Sequence, residues 1–600
     1  MIKIFHICIL LLFFLPTLSF GTEPDEITTQ DLISHISYLA SDELEGRKAG
    51  TEGANLAANY IESEFKKAGL KPLGDDGTYF QEFSLISGIR LGDSNSFKIE
   101  YGDNINDLKI KDDYLPLSFS STGGVGGDLV FAGYGISAPE LGYDDYKDLD
   151  VKDKIVLVLR FTPEGYDPKS KFYKYATFRS KAINARKKGA KGIIFVTPSS
   201  DREEENLGGM RLDASFTDSG IHAVILRRGI AEKVLNFAGK DLPSLEQEFA
   251  AKRNIGFKLP NVRIGLNTDL IQEKGSSYNV IGILEGSSPE LRDEAIIIGA
   301  HYDHIGMGER FSREEGSKKI VHNGADDNAS GAAGLIELAK YFSDRKENLQ
   351  RSIVFIAFSA EELGLLGSSY YVSNPRIPLY NTIAMINMDM IGRLRDGKLT
   401  ILGAGSSPEW KGLLDAANSG IELGFSLDES GFAPSDQSVF YAKNIPVLQF
   451  FTGVHSDYHS PGDDWEKINY IGEREVLKLV SNLISELETK PIRIAYSRAQ
   501  DEKKVPTGLN VYLGTIPDYS DNTRGVKLMG VKQGSPAERA GLKGGDIIVE
   551  FAGDTIKNIY DYVYALAEAK PGINVDMIVI RDNKNLRLGV VPEPRIVVEQ

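Results

Sequence analysis

Cysteine is nearly absent from this 600-residue chain, and only two tryptophans occur in it. The single cysteine, Cys8, lies in an apolar stretch at the start, so the rest of the chain has no thiol for a disulfide or a nucleophile. Basic residues are not in excess either, because the formal net charge is -17 and no strong basic stripe offsets it. These absences exclude a disulfide scaffold, a thiol enzyme and a nucleic-acid partner.

The first segment, MIKIFHICILLLFFLPTLSFG, has the layout of a cleavable export signal. Lys3 precedes a short apolar core, and small residues follow at Ser19 and Gly21. The alternative is an uncleaved anchor helix, but the apolar core is shorter than a membrane span requires. We therefore expect cleavage after Gly21 and an exported protein, periplasmic or secreted, with no stable membrane span afterwards.

The chain is too long for one ordinary domain, and its texture changes along its length. From Ser277 apolar strand-like runs alternate with helical patterns, which predicts an α/β fold with a doubly wound, mostly parallel sheet. The preceding block is glycine-rich and β-like, and a polar stretch precedes a compact tail. The predicted organisation is a signal at 1–21, a catalytic domain in two parts at 22–121 and 255–490, an inserted β-rich domain at 122–254, a linker at 491–506 and a tail domain at 507–593.

Polar side chains stand where the predicted strands end, which in open α/β sheets is the edge that carries the site. They are His301 and Asp303 after AIIIGA, Glu361 and Glu362 after IVFIAF, Asp389 after IAMINM, and His455 and His459 after VLQFF. A further acidic pair, Asp326 and Asp327, precedes a helical run. Five of the eight histidines fall between His301 and His459, a clustering that scattered structural histidines would not show.

Imidazoles and carboxylates that converge on one edge suit a borderline hard cation such as zinc. The number of carboxylates exceeds what one metal needs, so two metals bridged by a carboxylate fit the set better. Each residue also has an ordinary explanation. Glu361 and Glu362 suit a helix N-terminus, the acidic pair a turn and an N-cap, Asp389 a strand-end turn, and His459 a surface loop.

At these residues the sequence resembles the M28 family of zinc aminopeptidases. The matching segments are GAHYDHIG, NGADDNASG, FSAEELGLLGS, INMDMIGR and DYHSPGDDWEKI, with LASDELEGRKAGTEG upstream. They occur in the order found in the family, and the resemblance covers Ile27 to Leu487 apart from an insertion. It implies a zinc-exopeptidase-like fold and two Zn²⁺ ions that act on a peptide with a free N-terminus.

The resemblance also implies roles for single residues. His301 and Asp389 would bind one zinc, and Glu362 and His459 the other. Asp326 would bridge the two ions, and its peptide bond to Asp327 would be cis. Asp303 would orient the His301 imidazole. Glu361 would be the general base, and Tyr458 would donate to the developing oxyanion. His304 and His455 are weaker candidates for pocket or supporting positions.

Two further resemblances concern the insertion and the tail. The insertion resembles a protease-associated (PA) domain in GYDDYKDLDVKDKIVLVLR and ARKKGAKGIIFV, and we hypothesise that it restricts substrate size. The tail resembles a PDZ domain in VYLGT and SPAERAGLKGGD. Such domains bind a C-terminal peptide by adding a strand to a sheet edge, here with Tyr512, Leu513 and Gly514 as the carboxylate loop; a purely structural role is the alternative.

The leading prediction is an exported di-zinc aminopeptidase. A glutaminyl cyclase that uses one zinc on a similar fold, and a non-catalytic receptor or scaffold, are the rivals from other classes. Carboxypeptidase action is a further alternative, although the sequence offers no clear arginine clamp for a substrate carboxylate.

Overall fold

The computed structural model describes residues 26–165, 167, 169–199, 207, 217–250, 256–308, 311–313, 319–498, 511–518 and 525–594. The predicted export signal and the second half of the predicted linker lie outside these residues. Within the described ranges, no helix combines the length and the apolar character needed to cross a membrane.

Two helices open the described chain. The elements up to the insertion are α1 (Thr29–Leu39), α2 (Glu52–Lys67), β1 (Lys71–Pro72) and β2 (Phe80–Leu91). The Thr28 side chain caps α1 by accepting a hydrogen bond from the Asp31 N–H at 3.1 Å. Between the helices a tight turn, Asp42–Arg47, packs against α2. The apolar faces of both helices join the large core beneath the catalytic sheet.

The inserted domain is built on an eight-stranded sheet of its own. Its elements are β3 (Ser96–Tyr101), β4 (Asn104–Leu108), β5 (Tyr114–Pro116), β6 (Gly123–Phe131), β7 (Ser137–Ala138), β8 (Tyr143–Asp144), β9 (Ile155–Leu159), α3 (Phe178–Lys187), β10 (Gly192–Val196), β11 (His222–Leu226), α4 (Arg228–Phe237), α5 (Leu242–Ala250) and β12 (Phe257–Thr268). The strand order is β4-β3-β12-β6-β9-β10-β11-β5. The predicted insertion, 122–254, lies inside this unit, and the sheet extends beyond it to Ser96 and Thr268.

The insertion leaves and re-enters the catalytic domain at one place, which we call the neck. β2 ends at Leu91, and the next strand of the catalytic sheet starts at Leu270, directly opposite Leu91 in the antiparallel register. The segment that leaves the catalytic domain and the segment that returns to it therefore lie side by side.

The second part of the catalytic domain completes a nine-stranded sheet. Its elements are β13 (Leu270–Leu284), β14 (Ala295–His301), α6 (Gly331–Ser343), β15 (Ser352–Phe358), α7 (Leu366–Ser373), β16 (Thr382–Met388), β17 (Lys398–Leu402), α8 (Trp410–Ala417), β18 (Gly424–Asp428), α9 (Gln437–Tyr441), β19 (Val447–Phe451) and α10 (Tyr470–Thr489). The order is β1-β13-β15-β14-β16-β19-β17-β18, with β2 paired to β13.

The centre of this sheet is parallel, which confirms the predicted doubly wound class. β15, β14, β16 and β19 run parallel to one another. β14, β15 and β16 are buried along their whole lengths, because helices cover both faces. The carboxyl ends of these four strands consequently meet at one edge, where the polar residues selected from the sequence lie.

The tail forms a separate small domain with its own core. Its elements are β20 (Val511–Tyr512), β21 (Thr515–Pro517), β22 (Val526–Val531), α11 (Pro536–Arg539), β23 (Ile547–Phe551), β24 (Asp554–Thr555), α12 (Ile559–Glu568), β25 (Val575–Arg581), β26 (Lys584–Val590) and β27 (Glu593–Pro594).

The tail domain contacts the insertion through charged side chains. Arg186 on α3 pairs with Asp561 on α12 at 2.6 Å, and Lys187 pairs with Asp554 and Glu568 at 2.8 and 3.0 Å. Asp561 is almost fully buried, so its pair with Arg186 is shielded from solvent. Arg498, in the segment between the catalytic domain and the tail, pairs with Glu538 on α11 at 3.0 Å.

Two helical glycines give a matched test of packing between α2 and the Asp42–Arg47 turn. A methyl group at Gly53 in α2 would lie 1.9 Å from the Leu44 carbonyl oxygen, whereas one at Gly412 in α8 would meet nothing within 4 Å. We expect Gly53→Ala to lower the free energy of unfolding by at least about 2 kcal/mol through overpacking. Gly412→Ala should raise it by about 0.5–1 kcal/mol by restricting the unfolded chain. Denaturant unfolding of both variants measures this, and equal effects would contradict the packing described.

Candidate metal centre

The residues at the sheet edge form two groups of metal-ligand type that share one carboxylate. One group contains His301, Asp327 and Asp389, and the other contains His304, Asp327, Glu362 and His459. Within each group the donor atoms lie within 4.8 Å of one another. The sequence prediction paired His301 with Asp389 and Glu362 with His459, and the structure brings each pair together.

Asp327 lies between the two groups. Its Oδ1 is 3.4 Å from the His301 Nε2, and its Oδ2 is 3.3 Å from the His459 Nε2. The other carboxylates complete the two groups, with Asp389 Oδ1 3.4 Å from the His301 Nε2 and Glu362 Oε2 3.2 Å from the His459 Nε2. One carboxylate thus faces a different imidazole with each of its oxygens, which is the arrangement of a bridging ligand.

The prediction that Asp326 is the bridge is wrong by one residue. The Asp326 Oδ1 accepts hydrogen bonds from the Gly392 N–H at 2.7 Å and the Ser330 hydroxyl at 3.1 Å, and its Oδ2 lies 3.2 Å from the His455 Nε2. The cis peptide bond is also one residue later than predicted, between Asp327 and Asn328. The carboxylate of Asp326 is therefore used to hold the neighbouring loops.

Asp463 fixes the turn that carries Asp327, and it is not among the site residues predicted from the sequence. Its Oδ2 accepts hydrogen bonds from the N–H groups of Asp326 and Asp327 at 2.9 and 3.1 Å. Arg393 donates to its other oxygen at 3.2 Å. Asp463 is fully buried, and its place in the HSPGDDW segment was the available signal.

The two principal histidines present the same nitrogen to the site. The His301 Nδ1 is 3.1 Å from the backbone carbonyl of Asp303, and the His459 Nδ1 is 3.1 Å from the carbonyl of Phe311. A carbonyl only accepts, so each Nδ1 carries the proton and donates. The Nε2 atoms of the neutral rings are then acceptors that face carboxylate oxygens at 3.2–3.4 Å. Acceptor facing acceptor requires a cation or a proton between them, and the donor set of imidazoles and carboxylates fits zinc.

Asp303 supports His301 differently from the prediction. Its carboxylate Oδ1 is 3.9 Å from the His301 Nδ1, and the contact that orients the ring comes from the backbone carbonyl of Asp303. The same Oδ1 accepts a hydrogen bond from the Glu361 N–H at 3.1 Å. Asp303 thereby ties the loop after β14 to the loop after β15.

Glu361 and Glu362 are adjacent, but their environments push their pKa values in opposite directions. Burial, reinforced by Glu362 and Asp436, raises the pKa of Glu361 well above its ordinary value, although His301 opposes this. Burial and Asp327 would also raise the pKa of Glu362, but its contacts with the imidazoles of His304 and His459 lower it to about 2. A turn with Ala360 at φ 58° separates this pair from the strand.

His304 and Tyr458 also border the site. The His304 Nδ1 lies 2.8 Å from the Glu362 Oε1, which is closer than the supporting position predicted for it implies. Tyr458 stacks on His459 with ring centroids 4.0 Å apart, and the Arg313 guanidinium lies 4.7 Å from the Tyr458 ring centroid. His455 contacts Asp326 and lies outside both ligand groups.

Comparison with known proteins identifies three regions of similarity in this chain. The family model for peptidase family M28 matches residues 279–484, the PA domain model matches 125–233, and a PDZ domain model matches 512–591. The aminopeptidase YwaD of Bacillus subtilis is 27% identical over 389 residues, which is 62% of this chain and 69% of that protein. Leucine aminopeptidase 2 of Trichophyton rubrum is 26% identical over 267 residues, and the match covers 39% of this chain and 50% of that protein.

Among solved structures, BSAP, a zinc aminopeptidase from Bacillus subtilis, aligns at 23% identity with a TM-score of 0.48 and covers 79% of this chain and 98% of that one. The three family matches occur in the order that the sequence predicted, with the PA domain ahead of the peptidase domain and the PDZ domain at the end. The chain therefore combines a region that matches peptidase family M28 with an inserted PA domain and a following PDZ domain, and the family-model matches, the aminopeptidase relatives and the metal-ligand geometry support a metallo-aminopeptidase.

Proposed function

We propose that this protein is an exported di-zinc aminopeptidase that removes N-terminal residues from peptides, with Glu361 as the general base. The observation that carries the proposal is the position of Asp327, whose two carboxylate oxygens face the imidazoles of two separate ligand groups at 3.3 and 3.4 Å. A single metal would leave one of these groups without a role.

The donor atoms set the choice of metal. His301 and Asp389 would hold one Zn²⁺, Glu362 and His459 the other, and Asp327 would be shared by both ions. The Nε2 lone pairs and the ionised carboxylates are ligands that zinc accepts, and the chain beyond Cys8 offers no thiol. When bound, such a pair of ions supplies an activated water and polarises the carbonyl of the scissile bond.

Glu361 has the properties of a group that both takes and returns a proton. Its raised pKa means that Glu361 holds a proton more strongly than an ordinary glutamate, whereas the lowered pKa of Glu362 beside it suits a side chain that binds a cation. The Glu361 carboxylate would accept the proton of the attacking water and deliver it to the leaving amine. The bond from its N–H to Asp303 holds the backbone in place for this transfer.

Tyr458 would donate its hydroxyl to the oxygen that becomes negative as water adds to the carbonyl. Its stacking on His459 and the cation above its ring keep the phenol beside the ligand groups. Burial raises the pKa of Tyr458, so the phenol keeps its proton at neutral pH and can serve as a donor.

A glutaminyl cyclase with one zinc is the second candidate. The presence of both ligand groups around Asp327 favours the two-metal peptidase. A non-catalytic scaffold would have no need of a carboxyl group with a raised pKa, such as Glu361, next to the ligands.

The other two domains suggest how substrates and partners are handled. The PA domain would restrict the length of peptides admitted to the site. The PDZ match supports binding of a C-terminal peptide at the loop Tyr512–Gly514, in which Gly514 has φ 76°. The ion pairs between α12 and the insertion also give this domain a structural role.

Substrate and metal dependence test the activity. We expect the purified protein to cleave aminoacyl chromogenic amides with a free amine, to ignore their N-acetylated forms, and to leave N-terminal glutaminyl peptides uncyclised. A chelator should abolish the cleavage and added zinc should restore it. Cyclisation of the glutaminyl peptides, or activity that survives complete metal removal, would contradict the proposal.

The adjacent acids provide matched variants for that assay. Glu361→Gln should reduce kcat by at least about 1,000-fold, because the proton acceptor is lost, and should leave the metal content close to that of the wild type. Glu362→Gln should lose metal as well as activity. Equal metal loss in both variants would contradict the separate roles of the two side chains.

A second pair of variants tests which aspartate is shared. Asp327→Asn should lower the metal content below two ions per chain and reduce kcat by at least about 100-fold. Asp326→Asn should keep both ions, because an amide oxygen can still accept the bonds from Gly392 and Ser330. Elemental analysis of both proteins measures this, and the reverse result would restore Asp326 as the bridge.

Export can be followed through the mature N-terminus. In a bacterial host the protein should accumulate outside the cytoplasm and begin at Thr22, because the signal is removed after Gly21. A variant without residues 2–21 should stay in the cytoplasm. Mass spectrometry of the fractions reads the N-terminus, and an intact Met1 in the membrane fraction would favour an anchor.

A further inference from the structure

Arg47 is fully buried beside the ligand groups, although it is far from them in sequence. It belongs to the LEGRKAG segment, which follows α1 and forms the turn that packs against α2. Burying a guanidinium is costly unless its donors are satisfied. Each N–H group of the Arg47 guanidinium must therefore find a hydrogen-bond acceptor inside the protein.

All the hydrogen bonds of this guanidinium that the structure shows go to backbone carbonyls. The Nε donates to the Tyr302 carbonyl at 2.8 Å, Nη1 to those of Leu39 and Asn323, and Nη2 to that of Gly324 at 2.9 Å. Among the residues that the structure describes, no carboxylate lies within ion-pair distance of Arg47. The planar fork of arginine is needed for this pattern, because a lysine has three donors on one atom.

The accepting carbonyls belong to the loops that carry the shared site. Tyr302 directly follows the ligand His301, and Gly324 stands three residues before Asp327. Asn323 precedes Gly324 in the same turn, and the remaining acceptor, Leu39, is the last residue of α1. Arg47 thus joins the loop after β14, the turn before α6 and the first helix through a single side chain.

The backbone around Arg47 reinforces the same junction. The His304 N–H donates to the Arg47 carbonyl at 3.2 Å, and the Gly306 N–H donates to the Gly46 carbonyl at 3.0 Å. Gly46 has φ 68°, and a side chain there would collide with the carbonyl oxygens of Gly306 and His322 at 2.5 Å. The segment is therefore locked against the HYDH loop on both sides of Arg47.

Arg47 also places a positive charge next to an acidic centre. Burial lowers the pKa of Arg47 to about 10, while Asp327, Asp303, Asp463 and Glu362 oppose this decrease. The guanidinium is consequently protonated at neutral pH. It offsets part of the repulsion among the carboxylates without binding any of them, and so leaves their oxygens free for cations.

We propose that Arg47 is a positioning residue for the two-metal centre, which sets the distance between His301 and Asp327 by holding the carbonyls of both their loops. The inference rests on the proposed zinc site. It assigns a role to Arg47 in the upstream segment LASDELEGRKAGTEG, for which the family resemblance implied none.

The test compares Arg47→Lys with Arg351→Lys. Arg351 is also fully buried, and it donates to the carbonyls of Leu487 and Lys490 and pairs with Glu294 at 2.7 Å, but it stands just before β15, at the opposite end of that strand from the site. Zinc affinity is measured by competition with a chromophoric chelator, and kcat and KM are measured at saturating zinc.

Arg47→Lys should weaken zinc binding by about 10- to 100-fold and lower kcat by a similar factor, with KM within about twofold of the wild-type value. Arg351→Lys should lower the melting temperature but keep wild-type zinc affinity and kcat. An Arg47→Lys protein with wild-type zinc affinity and kcat overturns the inference, as does an equal loss of zinc affinity in both variants. A wild-type protein that binds no zinc overturns the proposed function and this inference together.

A second variant guards against a failure of Arg47→Lys to fold. A side chain at Gly306 would lie 2.9 Å from the Cβ of Lys48 and would displace the segment that carries Arg47 while leaving the guanidinium in the chain. Gly306→Ala should weaken zinc binding in the same direction. Unchanged affinity in a folded Gly306→Ala protein would argue against the proposed positioning role.

Discussion

Repulsion among buried carboxylates is the main energetic cost that the rest of the catalytic domain has to offset. The side chains of Asp327, Asp389 and Glu362 converge on two imidazoles at one edge of an apolar sheet, where water cannot screen their charges. Folding can bring them together only because cations and donors offset the charge. Within the protein itself these are the imidazoles and the guanidinium of Arg47, which binds backbone carbonyls and no carboxylate among the described residues.

The scaffold makes this concentration of charge stable by keeping it on rigid elements. Four parallel strands end at the same edge, and their interiors are buried by helices on both faces. The loops beyond the strands are then tied to one another: Asp303 binds the Glu361 backbone, and Asp463 binds that of Asp327. Metal-ligand positions that depend on several short loops are thereby held by side chains that bind no metal.

The fold and the gathering of polar side chains at one edge of the sheet could be predicted from the sequence because their signals are local. Apolar runs such as SIVFIAF specify buried strands, and the polar residues that follow them necessarily gather at the carboxyl edge. The choice between Asp326 and Asp327 was not predictable in this way. In an irregular turn the direction of a side chain depends on backbone dihedral angles, which the pattern of residues does not specify.

Other features were hidden for related reasons. The partners of Arg47 are carbonyls, which every residue has, so no side-chain motif reveals them. The closeness of His304 to Glu362 likewise follows from the path of the HYDH loop, and four neighbouring polar residues could have been arranged in several ways. The edges of the inserted sheet extend to Ser96 and Thr268 because β3 and β12 pair over a long separation in sequence.

The neck at Leu91 and Leu270 has a mechanical consequence when it is considered with the PDZ contacts. Two adjacent strands alone would let the inserted domain rotate about the neck. The buried ion pair of Arg186 with Asp561 is a second attachment, which joins the inserted domain to the PDZ domain away from the neck. Rotation of the inserted domain about the neck would break the Arg186–Asp561 ion pair, so the PDZ domain restrains the orientation of the PA domain.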